Sequence, residues 1–208
     1  KTVFVLFAIV ILASVVTQSI SALFGITGIV VDMAGTQIAL LAFGMYLIDF
    51  DMKYLIENLK GKLKIKTFLQ AGKLILLIFA INITIGVLSG PITSDTTTDV
   101  MLSGNMLFQI LAVVILAPLV EEFTFRLGLK RKLVDKGNLS NLSFIILSGL
   151  IFGLLHWQPG SSGLIIVGLT ASIGIVNAIS YIKTDNILVP AIGHVAYNAI
   201  ILLLASMV

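Results

Sequence analysis

Seven apolar runs, most of them about the length of a bilayer-crossing helix, make up about two thirds of this 208-residue chain. They extend over approximately Val3–Phe24, Ile29–Phe50, Phe68–Ser89, Met101 to beyond Val120, Leu142–Trp157, Leu164–Ile182 and Ile187–Met207. In a lipid interior each backbone polar group must be satisfied within its own segment, and apolar runs of about 20 residues meet that demand as helices. Hydrophobic residues are 58% of the chain and charged ones 11%, against about 25% charged in an ordinary soluble domain. The expected fold class is all-α, a polytopic transmembrane helical bundle of about seven spans (six to eight). No repeat or composition break divides the chain, so one transmembrane domain over 1–208 is the simplest count. With no cysteine, disulfides and thiolate-held metals are excluded. A net charge of +3 is too small to signal a nucleic-acid partner. The opening Lys1 and its apolar run also fit a signal peptide, but a run reaching Phe24 suits a spanning helix better.

The cations set the sidedness. Lys53, Lys60, Lys62, Lys64, Lys66 and Lys73 surround the second connection, Arg126, Lys130, Arg131, Lys132 and Lys136 the fourth, and Lys183 the sixth. The first, third and fifth connections carry no Lys or Arg, and the third carries Asp95 and Asp99 instead. Positive loops stay cytoplasmic, which predicts N-terminus in and C-terminus out. Within the second connection, Asp51–Lys66 mixes Tyr54, Leu55, Ile56, Leu59, Leu63 and Ile65 with lysines. An ordinary positive loop is the simpler reading, and an amphipathic helix on the inner leaflet is the other.

Against this background a few polar residues stand in the wrong solvent. Glu121 and Glu122 follow an apolar run, and intramembrane carboxylates mark functional sites unless they are paired. Glu122 and Arg126 are four apart with the acid first, the favourable order for a helical ion pair. Glu121 then points about 100° away around the helix with no local partner, which suits a general base. Pro118 removes a helix hydrogen bond just upstream and predicts a kink. The chain's two histidines, His156 and His194, both lie in or beside apolar helices, and Asn198 shares a face with His194. Each motif alone also fits rim pairing, core hydrogen bonding or helix packing. Taken together, one wet site between helices explains all of them.

The ordered trio Glu121-Glu122-Phe123-Thr124-Phe125-Arg126, Phe152-Gly153-Leu154-Leu155-His156 and His194-Val195-Ala196-Tyr197-Asn198 resembles the CAAX-protease and bacteriocin-processing family of intramembrane endopeptidases, which includes Rce1-type and bacterial Abi proteins. The resemblance covers roughly 117–201, within a catalytic core of 101–208. It implies peptide-bond hydrolysis by a glutamate-activated water. Glu121 would be the base, His156 would help hold the water, His194 and Asn198 would stabilise the oxyanion, and Glu122 and Arg126 would support them. It further implies a peptide or lipid-anchored protein substrate, of CAAX type or in bacterial peptide processing or bacteriocin immunity, in a cavity within the membrane. The small size and the Ile/Lys/Asn-rich composition lean towards a bacterial cell membrane. No cofactor is expected. Zinc stays open as an alternative, with Glu121, His156 and His194 as ligands beside an open position. Two other readings also stay open. One is a non-catalytic scaffold or immunity protein. The other is a small transporter using Asp32, Asn82, Glu121 and His194, although no inverted repeat is evident.

The site has to close in space. His156 lies ~22 Å along its span from the cytoplasmic end and His194 ~14 Å along its own. Glu121 meets them only if helix four continues to about Leu133, which sets it ~18 Å above that helix's inner end. A long fourth helix, with Lys130, Arg131 and Lys132 snorkelling to headgroups, is therefore a requirement of the reading.

Overall fold

The computed structural model describes residues 28–89, 107, 110–157 and 162–207, with side chains from residue 35 onward. Val3–Phe24, the Asp95/Asp99 connection and the start of the Met101 run lie outside the described residues. Seven helices account for almost all the rest: α1 (Gly28–Leu47), α2 (Met52–Leu59), α3 (Ile65–Ser89), a composite α4 over 110–133, α5 (Asn141–Leu155), α6 (Gly163–Thr184) and α7 (Leu188–Ala205). The all-α expectation holds. Helices α3, α6 and α7 are long and apolar enough to cross a membrane, whereas Gly35–Leu47 and Asn141–Leu155 are shorter apolar helices. Large apolar side chains stand outward along them, among them Leu76, Val87 and Leu88 of α3, Leu164 of α6 and Leu203 of α7. A surface of this kind is a liability in water and a natural face towards lipid.

Helix α4 is long, as the site requires, and continues to Leu133. It is not uniform. Ile110–Leu116 and Phe123–Gly128 are π-helical, and they flank an α-helical turn Ala117–Glu122 with Pro118 in its first positions. A π-helical stretch thus lies just upstream of Pro118, where the sequence predicts a kink. Helix α1 packs across the second π stretch and α7 across the first.

The tightest contact is between α5 and α6. A Cβ added at Gly149 would lie 2.3 Å from Ile175 Cγ1 and 2.9 Å from its backbone nitrogen, and one at Gly153 would lie 2.7 Å from the Val167 carbonyl. A Cβ added at Gly174, facing them, would lie 2.9 Å from Gly149 Cα. Small residues four apart allow this backbone approach, a common membrane packing device. Ser148 adds an inter-helix bond to the Phe125 carbonyl at 3.0 Å.

The second, fourth and sixth connections meet at one end of the bundle. Asp49 binds Lys132 and Lys136, both at 2.7 Å, Asp51 binds Arg131 at 2.9 Å, and Lys62 reaches Asp185. Asp49 and Phe50 adopt left-handed conformations that turn the chain at the end of α1. The turn leads into α2, capped by the Asp51 carboxylate on the Tyr54 N–H. This is the outcome on which the sequence reading of Asp51–Lys66 leaned the wrong way. The segment is not a plain loop, because Asp51 caps a helix whose Tyr54 and Leu55 pack against Leu127, Tyr181 and Ile187.

Two tests follow from this packing. Gly149→Ala pushes α5 off Ile175 and lowers stability by about 1–3 kcal/mol in denaturant unfolding in detergent. Gly72→Ala, with open space around it, does not lower it. The lysine hydrogen bonds hold the Asp49 carboxyl at about 2, below its ordinary 3.8. Its contribution is therefore complete above pH 3.8 and is lost as pH falls through about 2. The stability difference between wild type and Asp49→Asn, measured by unfolding at pH 5 and at pH 2, shrinks at the lower pH. Half-exposed pairs of this type contribute modestly.

Candidate active site

Glu122 is the centre of the buried polar cluster. Its side chain is fully buried, as is that of Arg126, and Arg126 Nε lies 3.0 Å from Glu122 Oε2. The i, i+4 pairing expected from the sequence is present. The sequence did not show that the other oxygen is also engaged: Oε1 accepts from Asn177 Nδ2 of α6 at 2.8 Å and from His194 Nδ1 of α7 at 3.0 Å. One carboxylate thus joins α4, α6 and α7. An unpartnered charge in such a place would cost several kcal/mol, and the cation one turn away offsets that.

Glu121 is less buried, with 13% of its side chain exposed, and Oε2 lies 3.9 Å from His194 Nε2. His194 therefore stands between the two acids, one nitrogen turned to each. Its Nδ1 carries a proton for Glu122, so Nε2 is the nitrogen that responds to whatever sits beside Glu121. The doublet is split as the sequence reading divides it, with Glu122 tied into the scaffold and Glu121 at a more open position.

His156 caps the end of α5. Its Nδ1 lies 2.7 Å from the Phe152 carbonyl, and a carbonyl only accepts, so Nδ1 is the protonated nitrogen. A neutral ring then presents Nε2 as an acceptor. Phe152 gathers the cluster: its ring lies 4.7 Å from that of His156 and 5.7 Å from that of His194, and the Arg126 guanidinium stands 4.9 Å above it. The structure thus brings Arg126, His156 and His194 around one phenyl ring, and Glu121 and Glu122 join the cluster through His194. Asn198 is placed one turn along α7, where Nδ2 donates to the Val113 carbonyl of α4 at 3.1 Å. Among the described residues no set of three His, Asp or Glu side chains converges closely enough to hold a metal ion.

Residues 103–200 match the family model described as type II CAAX prenyl endopeptidase Rce1-like. This part of the chain is similar to that family. The match includes all three motifs, and the family recognised from their order is the one found. No curated protein and no solved structure matches the chain. The Rce1-like family is a protease family, and three helices among the described residues are long and apolar enough to cross a membrane.

Two participants escaped the sequence reading. Asn177 is a lone amide in the apolar run of α6, the same signal that drew attention to Asn198. Phe152 belongs to the second motif but carries no polar group that would set it apart in an apolar run. Conversely Asn82, a candidate for a transport path, has both ends of its amide engaged, with Tyr197 at 2.8 Å and Ser172 at 2.9 Å. It binds α3, α6 and α7 together. The side chain of Asp32, the other candidate, lies outside the described residues.

The two acids are expected to separate under substitution. Glu122→Gln leaves Arg126 buried without its counter-charge and destabilises the fold by about 3–5 kcal/mol. Glu121→Gln, at a more open site, changes stability by less than about 1 kcal/mol. Thermal unfolding of both variants in the same detergent measures the difference.

Proposed function

We propose that the protein is an intramembrane glutamate-dependent endopeptidase that cleaves a peptide or membrane-tethered protein terminus, of CAAX type or in bacterial peptide processing. The observation that carries this reading is the pairing of Glu121 with His194 over the buried Glu122–Arg126 pair, inside the segment that matches the Rce1-like family. In the proposed reaction, water sits between Glu121 and His156 Nε2. Glu121 takes one water proton as the oxygen attacks the scissile carbonyl carbon, and the carbonyl oxygen becomes an oxyanion. His194 turns Nε2 as a donor towards that oxyanion while Nδ1 stays on Glu122. Asn198 keeps one N–H beyond its bond to Val113 and adds a second donor. Glu121 then passes its proton to the departing amine nitrogen, and the C–N bond breaks.

Around this site we propose one transmembrane domain over the whole chain, with its catalytic core in 101–208, seven spans, N-terminus in and C-terminus out. Glu121 then lies well inside the bilayer, in a cavity that faces the substrate. A bacterial cell membrane is the proposed location, with membrane lipid as its surroundings and no nucleic-acid partner. The mechanism is proposed as metal-free, which the resemblance supports, with zinc on Glu121, His156 and His194 as the competing arrangement.

Purified protein and a prenylated CAAX-type peptide test the proposal, with cleavage followed by mass spectrometry. Glu121→Gln and His156→Ala each lower the rate by about 100-fold or more, and Asn198→Ala by a similar order. Folding is checked by thermal unfolding. Undiminished cleavage by folded Glu121→Gln rejects the assigned base. Activity is expected to survive a chelator, and loss restored by added zinc transfers the three residues to a metal. A folded wild type that cleaves neither this peptide nor bacterial precursor peptides favours the scaffold reading.

A further inference from the structure

Beyond the Glu121 site, two adjoining cavities stand at the lysine-rich end of the bundle. The first, about 210 Å³, is lined by Lys62, Lys64, Lys66 and Lys183 together with Thr67 and Asn186. The second, about 330 Å³, runs up between α3 and α6 and shares Gln70, Lys183 and Thr184 with the first. Its walls are two matched helix faces. Gln70, Lys73, Leu74 and Leu77 stand on α3, and Val176, Ile179, Ser180 and Lys183 on α6. Both sets follow i, i+3, i+4, i+7 spacing, which places each on a single face. Polarity is graded along them, from lysines and hydroxyls at the end of the bundle to Leu74, Leu77, Val176 and Ile179 further in.

The charge in the first cavity is not spent within the protein. Lys62 is taken by Asp185, but Lys64, Lys66, Lys73 and Lys183 have no acidic partner among the described residues. Two of the neutral donors are already occupied. Thr67 donates to the Lys62 carbonyl at 2.6 Å, and Asn186 donates to that carbonyl and to Thr67. The charged groups left to bind are ammoniums, which select an anion. A free anion would use the first cavity alone and would leave the apolar continuation unexplained. An amphiphile uses both.

We propose that the α3–α6 groove is a binding site for an anionic phospholipid, with its phosphate among Lys64, Lys66 and Lys183 and an acyl chain against Leu77, Val176 and Ile179. The lipid sits where a headgroup meets the hydrocarbon layer, and clusters of lysines at that level attract anionic lipids strongly. General attraction to a charged leaflet would involve all the lysines of this end alike. The groove adds shape to charge, which is what distinguishes a site from a positive loop.

Native mass spectrometry of the whole protein, released from micelles holding equal phosphatidylglycerol and phosphatidylcholine, tests this. Wild type is expected to retain one phosphatidylglycerol in clear preference to phosphatidylcholine. Lys64→Gln with Lys183→Gln reduces the preference by roughly 30-fold, the effect of two lysines at a membrane surface. Lys53→Gln with Lys60→Gln, outside both cavities, leaves it in place. Leu77→Trp, which blocks the groove, lowers retention of the lipid while the lysines remain. Equal retention of the two lipids by wild type, or equal losses in both lysine double variants, overturns the proposal. Protection against thermal unfolding by inorganic phosphate, unchanged in Leu77→Trp, overturns it in favour of a free anion. Lysine or tryptophan variants that fold, bind like wild type and keep the preference overturn it as well.

Discussion

Everything near the site depends on one buried ion pair. Glu122 and Arg126 are both fully enclosed, in a protein that has few charges to spare. Charge in such surroundings survives only when it is neutralised and its remaining lone pairs are bonded. The carboxylate is neutralised by Arg126, and its Oε1 is bonded by Asn177 from α6 and His194 from α7. The need to satisfy Glu122 is what brings those two helices to α4 at that level. His194 is then oriented by its bond to Glu122, and its other nitrogen is delivered to Glu121. The order of cause runs from a structural carboxylate to the neighbour proposed to do chemistry.

Phe152 is the apolar counterpart of that pair. Its ring touches both imidazoles and lies under the guanidinium. Aromatic contacts of this kind are individually worth about 0.5–1.5 kcal/mol beyond burial, and cation–π contacts strengthen when desolvated. Phe152 is itself positioned by the close approach of α5 to α6, since the Gly149 and Gly153 backbones lie against Ala171, Gly174 and Ile175. Side chains larger than hydrogen at either glycine would lift α5, and His156 with it, away from the cluster.

Much of this was readable in the chain because the solvent makes polar residues conspicuous. Glu122 and Arg126 announced their pairing through i, i+4 spacing, and the length of α4 followed from asking at what level Glu121, His156 and His194 could meet. The all-helical class followed from the apolar runs. What stayed hidden was mostly non-local. Nothing in the spacing says that Asn177 rather than another amide reaches Glu122, or that Asn198 spends one N–H on Val113. The helix at Met52–Leu59 was under-read because lysines dominate its neighbourhood, while its order comes from a cap at Asp51 and from contacts with residues more than 70 positions away. The Gly149–Gly153 spacing takes its meaning from the α6 surface it meets, which lies outside the α5 sequence.

The mixed helical geometry of α4 has a consequence for how this chain can vary. The acids sit on a short α-helical turn between two π-helical stretches. Just beyond, Thr124 is fastened to the Leu40 carbonyl at 2.9 Å. Each residue in a helix turns the chain by about 100°. A single deletion between Thr124 and the doublet would swing both carboxylates off α6 and α7, however well the remaining side chains suited a membrane. In this region residue number is a stricter requirement than residue identity. Sequence drift can proceed by exchange along the lipid-facing side of the helix, whereas a change in length is shut out by the angle at which two carboxylates have to arrive.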